Sequence, residues 1–331
     1  MANYLYVLSK EYLDLSSQEV LLFGTISKYV RVHNLLLVDK QMDYSRLAYT
    51  KAVFSVLFSA ISPERFIERL NRFDCNKVYR DSFSFRILDY SQQQVTKQHL
   101  TKQRLTKAGL TEKGIAGIMY GKLKNPKVDL RNARTQYFLI LSDHAYFFTT
   151  LLWKNTENFS SRKSHHRPAP HPTSLHPRLA RCLINLLNPK SFLDPFCGSG
   201  GILIEGGLLG IHVEGIDLDP IMIRRAQMNL EHYGIKTYAL HVGDALTITK
   251  RVEAIITDLP YGRNSKVDNV YQTYAAFVRN AEQLTRKMIV IFPDFINSRR
   301  VLKGTRWRII HAFSYYLHRT LSKNILLLER N

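Results

Sequence analysis

Phe192-Leu193-Asp194-Pro195-Phe196-Cys197-Gly198-Ser199-Gly200-Gly201 is the stretch that decides the fold. An apolar run ends in a carboxylate, a glycine-rich turn follows, and a helix opens behind it. Glycines at such a turn permit positive φ and let the backbone approach a ligand closely. The spacing is not the full GxGxxG fingerprint of dinucleotide sites, because Leu203 stands where the third glycine belongs. Asp194 would repel a pyrophosphate, whereas it suits a cationic group.

Outward from this turn the pattern alternates between strands and helices. Strands are expected near Ser191–Asp194, His212–Asp217, Thr237–His241, Glu253–Asp258, Met288–Phe292, Arg306–Tyr315 and Asn324–Leu328, with helices between most of them. That alternation predicts a doubly wound α/β sheet. Four aspartates then fall at the carboxyl ends of successive strands: Asp194, Asp217, Asp244 and Asp258. Ligands of open α/β sheets bind at that edge. A row of carboxylates there suits a cationic ligand and an anionic dinucleotide poorly.

Each acid sits in a distinct context. Asp217, in Gly215-Ile216-Asp217-Leu218-Asp219, lies 17 positions after Gly200, where an acid takes both ribose hydroxyls of an adenosine. Asp219 precedes Pro220 and reads equally well as a helix N-cap. Asp244, in Gly243-Asp244-Ala245, is placed to accept from an adenine amino group, or simply to form a turn. Asp258 opens Asp258-Leu259-Pro260-Tyr261-Gly262. The lone pair of a base amino group is delocalised into its ring, so an acceptor pair holding both N–H bonds is needed to aim the nitrogen at an electrophile. Asp258 supplies one acceptor and can take the released proton. The carbonyl of Leu259 supplies the other, and Pro260 restricts Leu259 to extended conformations. Tyr261 offers a ring on which an extruded base stacks.

The bulk numbers limit the partners. Lys and Arg number 47 against 27 Asp and Glu, a net charge of +20 over 331 residues. This favours a polyanion. An anionic membrane fits less well, since no apolar run approaches the ~18–20 residues of a spanning helix, and the N-terminus lacks a signal-peptide pattern. Cys75, Cys182 and Cys197 are too few and too scattered for a disulfide framework or a zinc site, which predicts a reduced, cytoplasmic protein. His165, His166, His171 and His176 lack acidic partners at fixed spacing, so no metal is expected. His171-Pro172-Thr173-Ser174-Leu175 is expected to pack beside the ligand or to start the helix Pro177–Leu187.

Charge is uneven along the chain. From Lys97 to Arg134 there are ten basic residues against Glu112 and Asp129, whereas Gly201–Lys250 carries four basic and six acidic residues. Lys97, Lys102, Arg104, Lys107, Lys122, Lys124, Lys127, Arg131 and Arg134 are therefore the candidate RNA contacts, a solvated helix face being the alternative. The N-terminal part reads as α+β. Strands are expected at Tyr4–Leu8, His33–Val38, Arg46–Tyr49 and Asp81–Leu88. Helices are expected over Leu21–Ile26, capped by Ser16 or Ser17, over Ala52–Leu70 with a break at Pro63, and over Gln98–Gly121. Gln136–Leu141 and Ala145–Leu152 read as a hairpin, and the polar stretch 155–176 as a linker.

The motifs LDPFCGSGGILIE, GIDLDP, GDA, TDLPYGR and HPTSLHPRLARCLINL together resemble the archaeal tRNA guanine-10 N2-methyltransferases and their eukaryotic relatives over residues ~165–331. Asn125-Pro126-Lys127-Val128-Asp129-Leu130 with the strand that follows resembles the end of a THUMP domain, an RNA-binding module. The resemblance implies a ferredoxin-like domain at 1–70, a THUMP domain at 71–154, a linker at 155–176 and a Rossmann-like class I methyltransferase domain at 177–331. It implies S-adenosylmethionine as cofactor, tRNA as partner, and methylation of guanosine N2 once or twice by a monomeric, cytoplasmic enzyme. The expected cofactor-binding residues are Ser174, Asp194, Phe196, Gly198, Gly200, Asp217, Leu218, Asp244 and Ala245; the expected catalytic residues are Asp258, Leu259, Pro260 and Tyr261. One departure stands out: the usual motif is DPPYG, and Leu259 replaces its first proline.

Three other readings differ in class. A DNA amino-methyltransferase shares the acidic motif but would need a target-recognition region, absent from the N-terminal half. An RNA-binding protein without turnover would have no use for the four strand-end aspartates. A nicotinamide-dependent dehydrogenase conflicts with Leu203 and with the carboxylate row.

Overall fold

The computed structural model describes residues 3–91, 106, 110–172, 174–260, 267–318 and 321–330. They divide into two compact units: Met1–Leu13, Gly24–Ser45 and Thr50–Asn155 form one, and Asp14–Phe23, Arg46–Tyr49 and Thr156–Asn331 form the other.

The first unit is built on a seven-stranded sheet with β1 (Tyr4–Leu8), β2 (Tyr29–Val32), β3 (Leu35–Val38), β4 (Thr50–Ala60), β5 (Phe83–Asp89), β6 (Thr135–Leu141) and β7 (Tyr146–Lys154), in the order β2-β3-β1-β4-β7-β6-β5. All neighbours pair antiparallel except β5 and β6. The sheet is continuous across Leu70, so domains at 1–70 and 71–154 would divide sequence within one sheet. Phe66 and Leu70 of α2 (Pro63–Arg72) and Ile115 and Met119 of α3 (Glu112–Lys122) pack against Phe83, Tyr137 and Phe148.

Three local expectations fail in the N-terminal part. Ala52–Ala60 is a strand, not a helix; Val53, Phe54, Val56 and Phe58 are β-branched and aromatic side chains that suit a half-buried pleat. The helix begins only after Ser62, whose hydroxyl accepts from Arg65 N, with Pro63 in the first turn. Arg46–Tyr49 is no strand: a 3-10 turn at Tyr44–Arg46 leads into buried Leu47, Ala48 and Tyr49. The first helix, α1 (Leu13–Phe23), holds Ser16 and Ser17 buried within it rather than at its cap. The hairpin at 135–154 forms as expected, and β5 takes up the expected Asp81–Leu88 strand from Phe83 on, Asp81 lying at positive φ before it. Of the expected helix Gln98–Gly121, residues 98–105 and 107–109 lie outside the described residues.

In the second unit, α1 contributes Glu19, fully buried. Its carboxylate accepts from the amides of Ala48 (2.7 Å) and Tyr49 (2.8 Å) and from the Asn185 side chain (2.7 Å). Burial raises its pKa, and those three bonds oppose the rise.

The sheet of this unit contains β8 (Ser191–Asp194), β9 (His212–Asp217), β10 (Tyr238–Val242), β11 (Ile255–Asp258), β12 (Lys287–Pro293), β13 (Arg308–His318) and β14 (Leu321–Glu329). The order is β10-β9-β8-β11-β12-β14-β13, parallel except for the β13–β14 hairpin, which joins β12 antiparallel. This is the expected doubly wound sheet, its order reversing between β8 and β11. The central strands are apolar on both faces: Ile255, Ile256, Met288, Ile289, Val290 and Ile291 are fully buried. Each such side chain contributes about 1.5–3 kcal/mol. Helices α4 (Pro177–Leu187) and α6 (Pro220–His232) start alike, with a capping side chain before proline: His176 Nδ1 accepts from Arg178 N, and Asp219 from Ile221 N. Burial pushes His176 down to about 4, which keeps its ring a neutral acceptor. Helix α5 (Gly201–Leu208) starts at Gly200, φ +82°, whose missing side chain lets Ala226 of α6 approach. Among the described residues no helix is long and apolar enough to cross a membrane.

The stretch expected to be a linker is packed. Phe159, Arg167 and Ala169 are buried. The fully buried Glu205 of α5 binds Arg162 (2.7 Å) and Arg181 (2.9 Å), and both guanidinium groups lie over the Phe159 ring.

Candidate active site

A cavity of about 770 Å³ opens at the carboxyl ends of β8, β9, β10 and β11. Ser174, Asp194, Phe196, Gly198, Asp217, Leu218, Asp244, Ala245, Asp258, Leu259 and Pro260 all line it. Gly200 does not; it sets the packing of α5 on α6. Tyr261 lies outside the described residues. Met222, Leu246 and Thr273 also line the cavity and carry no motif by which the sequence would reveal them. Nor does Asn229 of α6, fully buried, whose side-chain amide donates to the carbonyls of Ala169 and Ser199 and so ties the glycine loop to the preceding segment.

The four acids are held differently. Asp217 Oδ2 accepts from Gly198 N (2.8 Å) and its Oδ1 from Asp219 N (3.0 Å), which folds the glycine loop over the end of β9. Gly198 has φ +51°, and a side chain added there would meet nothing within 4 Å, so it would occupy cavity space. Asp219 is a helix cap, as one of its two readings had it, and also lines the cavity. Asp244 is exposed, and its Oδ1 accepts from Leu246 N (2.9 Å). Leu218, 73% exposed, presents an apolar wall with Met222 and Ala245.

Asp194 and Asp258 sit deeper. Asp194 is 2% exposed, and its Oδ1 accepts from Thr257 Oγ1 (2.7 Å) and Phe196 N (3.2 Å). Burial pushes its pKa up to about 7, and the charges of Asp258 and Asp217 add to the rise. Asp258 has an ionic partner: its Oδ2 pairs with Lys323 Nζ of β14. Burial raises its pKa and Lys323 opposes the rise. Its Oδ1 is buried and has no hydrogen-bond partner among the described residues. Sequence reading missed Lys323, which lies 65 residues from Asp258 in no recognisable motif.

The backbone after Asp258 explains Leu259. Its side chain is 1% exposed, packed in a core that includes Val270, Tyr274, Phe277 and Phe292. Its N–H donates to Ile291 O (3.2 Å), a bond that proline cannot make. In a parallel ladder the next bond would run from residue 293 to the Leu259 carbonyl. Residue 293 is proline, so the ladder offers that carbonyl no N–H. The following carbonyl, of Pro260, accepts from Tyr274 Oη.

The candidate RNA residues lie in the first unit. Lys97, Lys102, Arg104 and Lys107 fall outside the described residues. Lys124, Lys127, Arg131 and Arg134 are exposed on the loop after the helix Glu112–Lys122. Lys122 is engaged elsewhere: its ammonium donates to the carbonyls of Leu70 and Asn71 (both 2.6 Å), closing the last turn of the helix Pro63–Arg72. Among the described residues no group of His, Cys, Asp and Glu could hold a metal ion.

Comparison with known proteins gives a consistent picture. The RMKL-like methyltransferase-domain family matches residues 164–323. A tRNA (guanine(10)-N2)-dimethyltransferase of Methanothermobacter thermautotrophicus is 34% identical over 215 residues, 62% of this chain and 64% of that protein, so the chain spans under two thirds of that relative's length. A probable tRNA (guanine(10)-N2)-dimethyltransferase of Methanothermococcus thermolithotrophicus is 30% identical over 162 residues, 45% of this chain and 95% of that one. Among solved structures, TrmN from Thermus thermophilus covers 99% of both chains with a TM-score of 0.54 at 16% identity, a likeness of fold.

Proposed function

Because this chain belongs to the tRNA (guanine(10)-N2)-dimethyltransferase family, we propose that it methylates the exocyclic N2 of a guanosine in tRNA, at position 10, once or twice. The observation that carries this reading is the acceptor pair at the end of β11. Asp258 Oδ1 is buried without a partner among the described residues, and the Leu259 carbonyl beside it is spared by Pro293. Two acceptors side by side on the wall of one cavity suit the two N–H bonds of a planar amino group.

The cavity residues fit S-adenosylmethionine. Asp217 would take its ribose hydroxyls, Asp244 its adenine amino group, and Leu218, Met222 and Ala245 its adenine faces, while Ser174, Phe196 and Gly198 would bound the methionine end. The carboxylates give the cavity the sign a sulfonium and an ammonium require. When bound, the cofactor supplies an electrophilic methyl group. Asp258 and Leu259 hold the base amino group by its N–H bonds, polarise those bonds towards the nitrogen and so raise its nucleophilicity. Asp258 accepts the proton that the methylated nitrogen releases and passes it to solvent. Tyr261 would stack on the extruded base.

The exposed Lys124, Lys127, Arg131 and Arg134 would bind tRNA phosphates from a THUMP-like region. A single copy acting in the cytoplasm completes the proposal, in keeping with three buried, free cysteines. The test is transfer of radioactive methyl from S-adenosylmethionine to tRNA and to DNA, followed by mass spectrometry of nucleosides. N2-methylated guanosine in tRNA is expected; label in DNA and none in tRNA overturns the reading.

A further inference from the structure

Lys323 is 2% exposed in a strand whose following residues, Ile325 to Leu328, are apolar and buried. Lysine is almost never buried in this way without a specific partner. In the sheet register it stands opposite Pro293 on β12 and Tyr315 on β13, and its ammonium reaches across β12 to Asp258. The contact engages Oδ2 of that carboxylate, while Oδ1, in a residue that lines the cavity, is buried with no hydrogen-bond partner among the described residues.

We propose that Lys323 is a positioning residue: by clamping Oδ2 it fixes the rotation of the Asp258 carboxylate and directs Oδ1, as an anion, at the base amino group. This rests on the acceptor role given to Asp258 above. The charged and titratable groups facing that carboxylate are Lys323 from β14, Asp194 from β8 and the Tyr274 hydroxyl from the helix Val267–Leu284. Asp194 opposes ionisation by like charge and Tyr274 carries no positive charge, so among the described residues Lys323 is the group that favours the anion. A salt bridge that merely anchored the β13–β14 hairpin would stabilise the fold equally well with the carboxylate turned either way. Its loss would not move the titration of catalysis.

The test compares the parent with Lys323→Met, which keeps the length and apolar stem and removes the charge. At pH 7 kcat should fall roughly tenfold or more, with the KM for tRNA changed less than about threefold. The acid limb of the kcat profile should move up by about one pH unit or more. In an Asp258→Asn background the same substitution should change the residual rate less than about twofold, because the group it positions is gone. A folded Lys323→Met whose pH profile superimposes on the parent's overturns the proposal, as does an equal loss of rate in both backgrounds. A readout independent of folding of the variant and of turnover is the carboxyl signal of Asp258 in aspartate-13C-labelled parent protein, assigned by its disappearance in Asp258→Asn. It should be that of a carboxylate at pH 7; a protonated carboxyl there overturns the proposal. If the parent transfers no methyl group to tRNA, the proposed function fails, and this titration still decides the role of Lys323.

Discussion

The ends of β8 and β11 are neighbours in the sheet, and each carries an aspartate that the fold buries, yet the two carboxylates are held in opposite ways. Asp194 receives a hydroxyl and an amide on one oxygen and faces no cation among the described residues, so burial dominates and its carboxyl is pushed up to about 7. Asp258 receives an ammonium on one oxygen, and its other oxygen is buried with no partner among the described residues. Topological position brings both acids to the ligand edge; the chemistry of the second strand beyond decides what each can do there. One buried acid braces the loop, and an ion-paired acid is left with an unused acceptor.

The sharpest way to break this contrast is Asp258→Ala. Methyl transfer should fall by roughly 10²–10⁴-fold while tRNA retention on filters stays within about twofold. Loss of tRNA binding would mean that Asp258, like Asp194, braces the structure.

Asp194→Asn tests the other side. The folded carboxyl titrates near 7 against 3.8 for the ordinary group, so the folded state holds the proton more tightly. Its stabilising contribution is complete below about pH 4 and is lost as pH rises through 7. The parent should therefore lose roughly a few kcal/mol relative to Asp194→Asn between pH 4 and pH 8, read from urea midpoints. A difference that stays flat over this window would remove the proton from Asp194.

Leu259→Pro restores the proline usual in the related motif. It removes the bond to Ile291 and thins the core, so a stability loss of about 1–2 kcal/mol is expected from thermal unfolding. An unchanged midpoint would mean that the leucine adds nothing to the end of β11. The smallest effect belongs to Pro293→Ala. The new N–H would compete for the Leu259 carbonyl and slow transfer about threefold to tenfold, near 1 kcal/mol, without loss of stability. A rate equal to the parent's would show that this carbonyl is not an acceptor for the base.

The C-terminal half was the more legible in sequence, because each motif is local: a glycine turn, an acid at a strand end, a proline after a cap. The apolar runs of β11 and β12 also announce strands covered on both faces. What failed was context. Ala52–Ala60 carries enough apolar residues for either element, and its pairing with β1 and β7 makes it a strand. Lys323 reads as one more basic residue in a chain of 47, and its meaning arises only when a hairpin folds back beside β12. Leu259 looked like a blemish in a motif; its buried side chain and its N–H give it a job that the motif does not record.

The helix α1 sets a schedule for biosynthesis. Glu19 leaves the ribosome 166 residues before Asn185, its partner in the same compact unit. At about 5–20 residues per second, the nascent helix waits on the order of ten seconds before that partner exists. Throughout that wait it exposes a carboxylate and the apolar face of Leu15, Val20 and Leu21. The second unit takes residues 14–23 and 46–49 from the N-terminal part, so its own contiguous sequence does not complete it. A gene cut at residue 156 would deliver a second unit lacking a piece of its own core, and chaperone dependence of the intact chain should be greatest while residues 20–185 are being made.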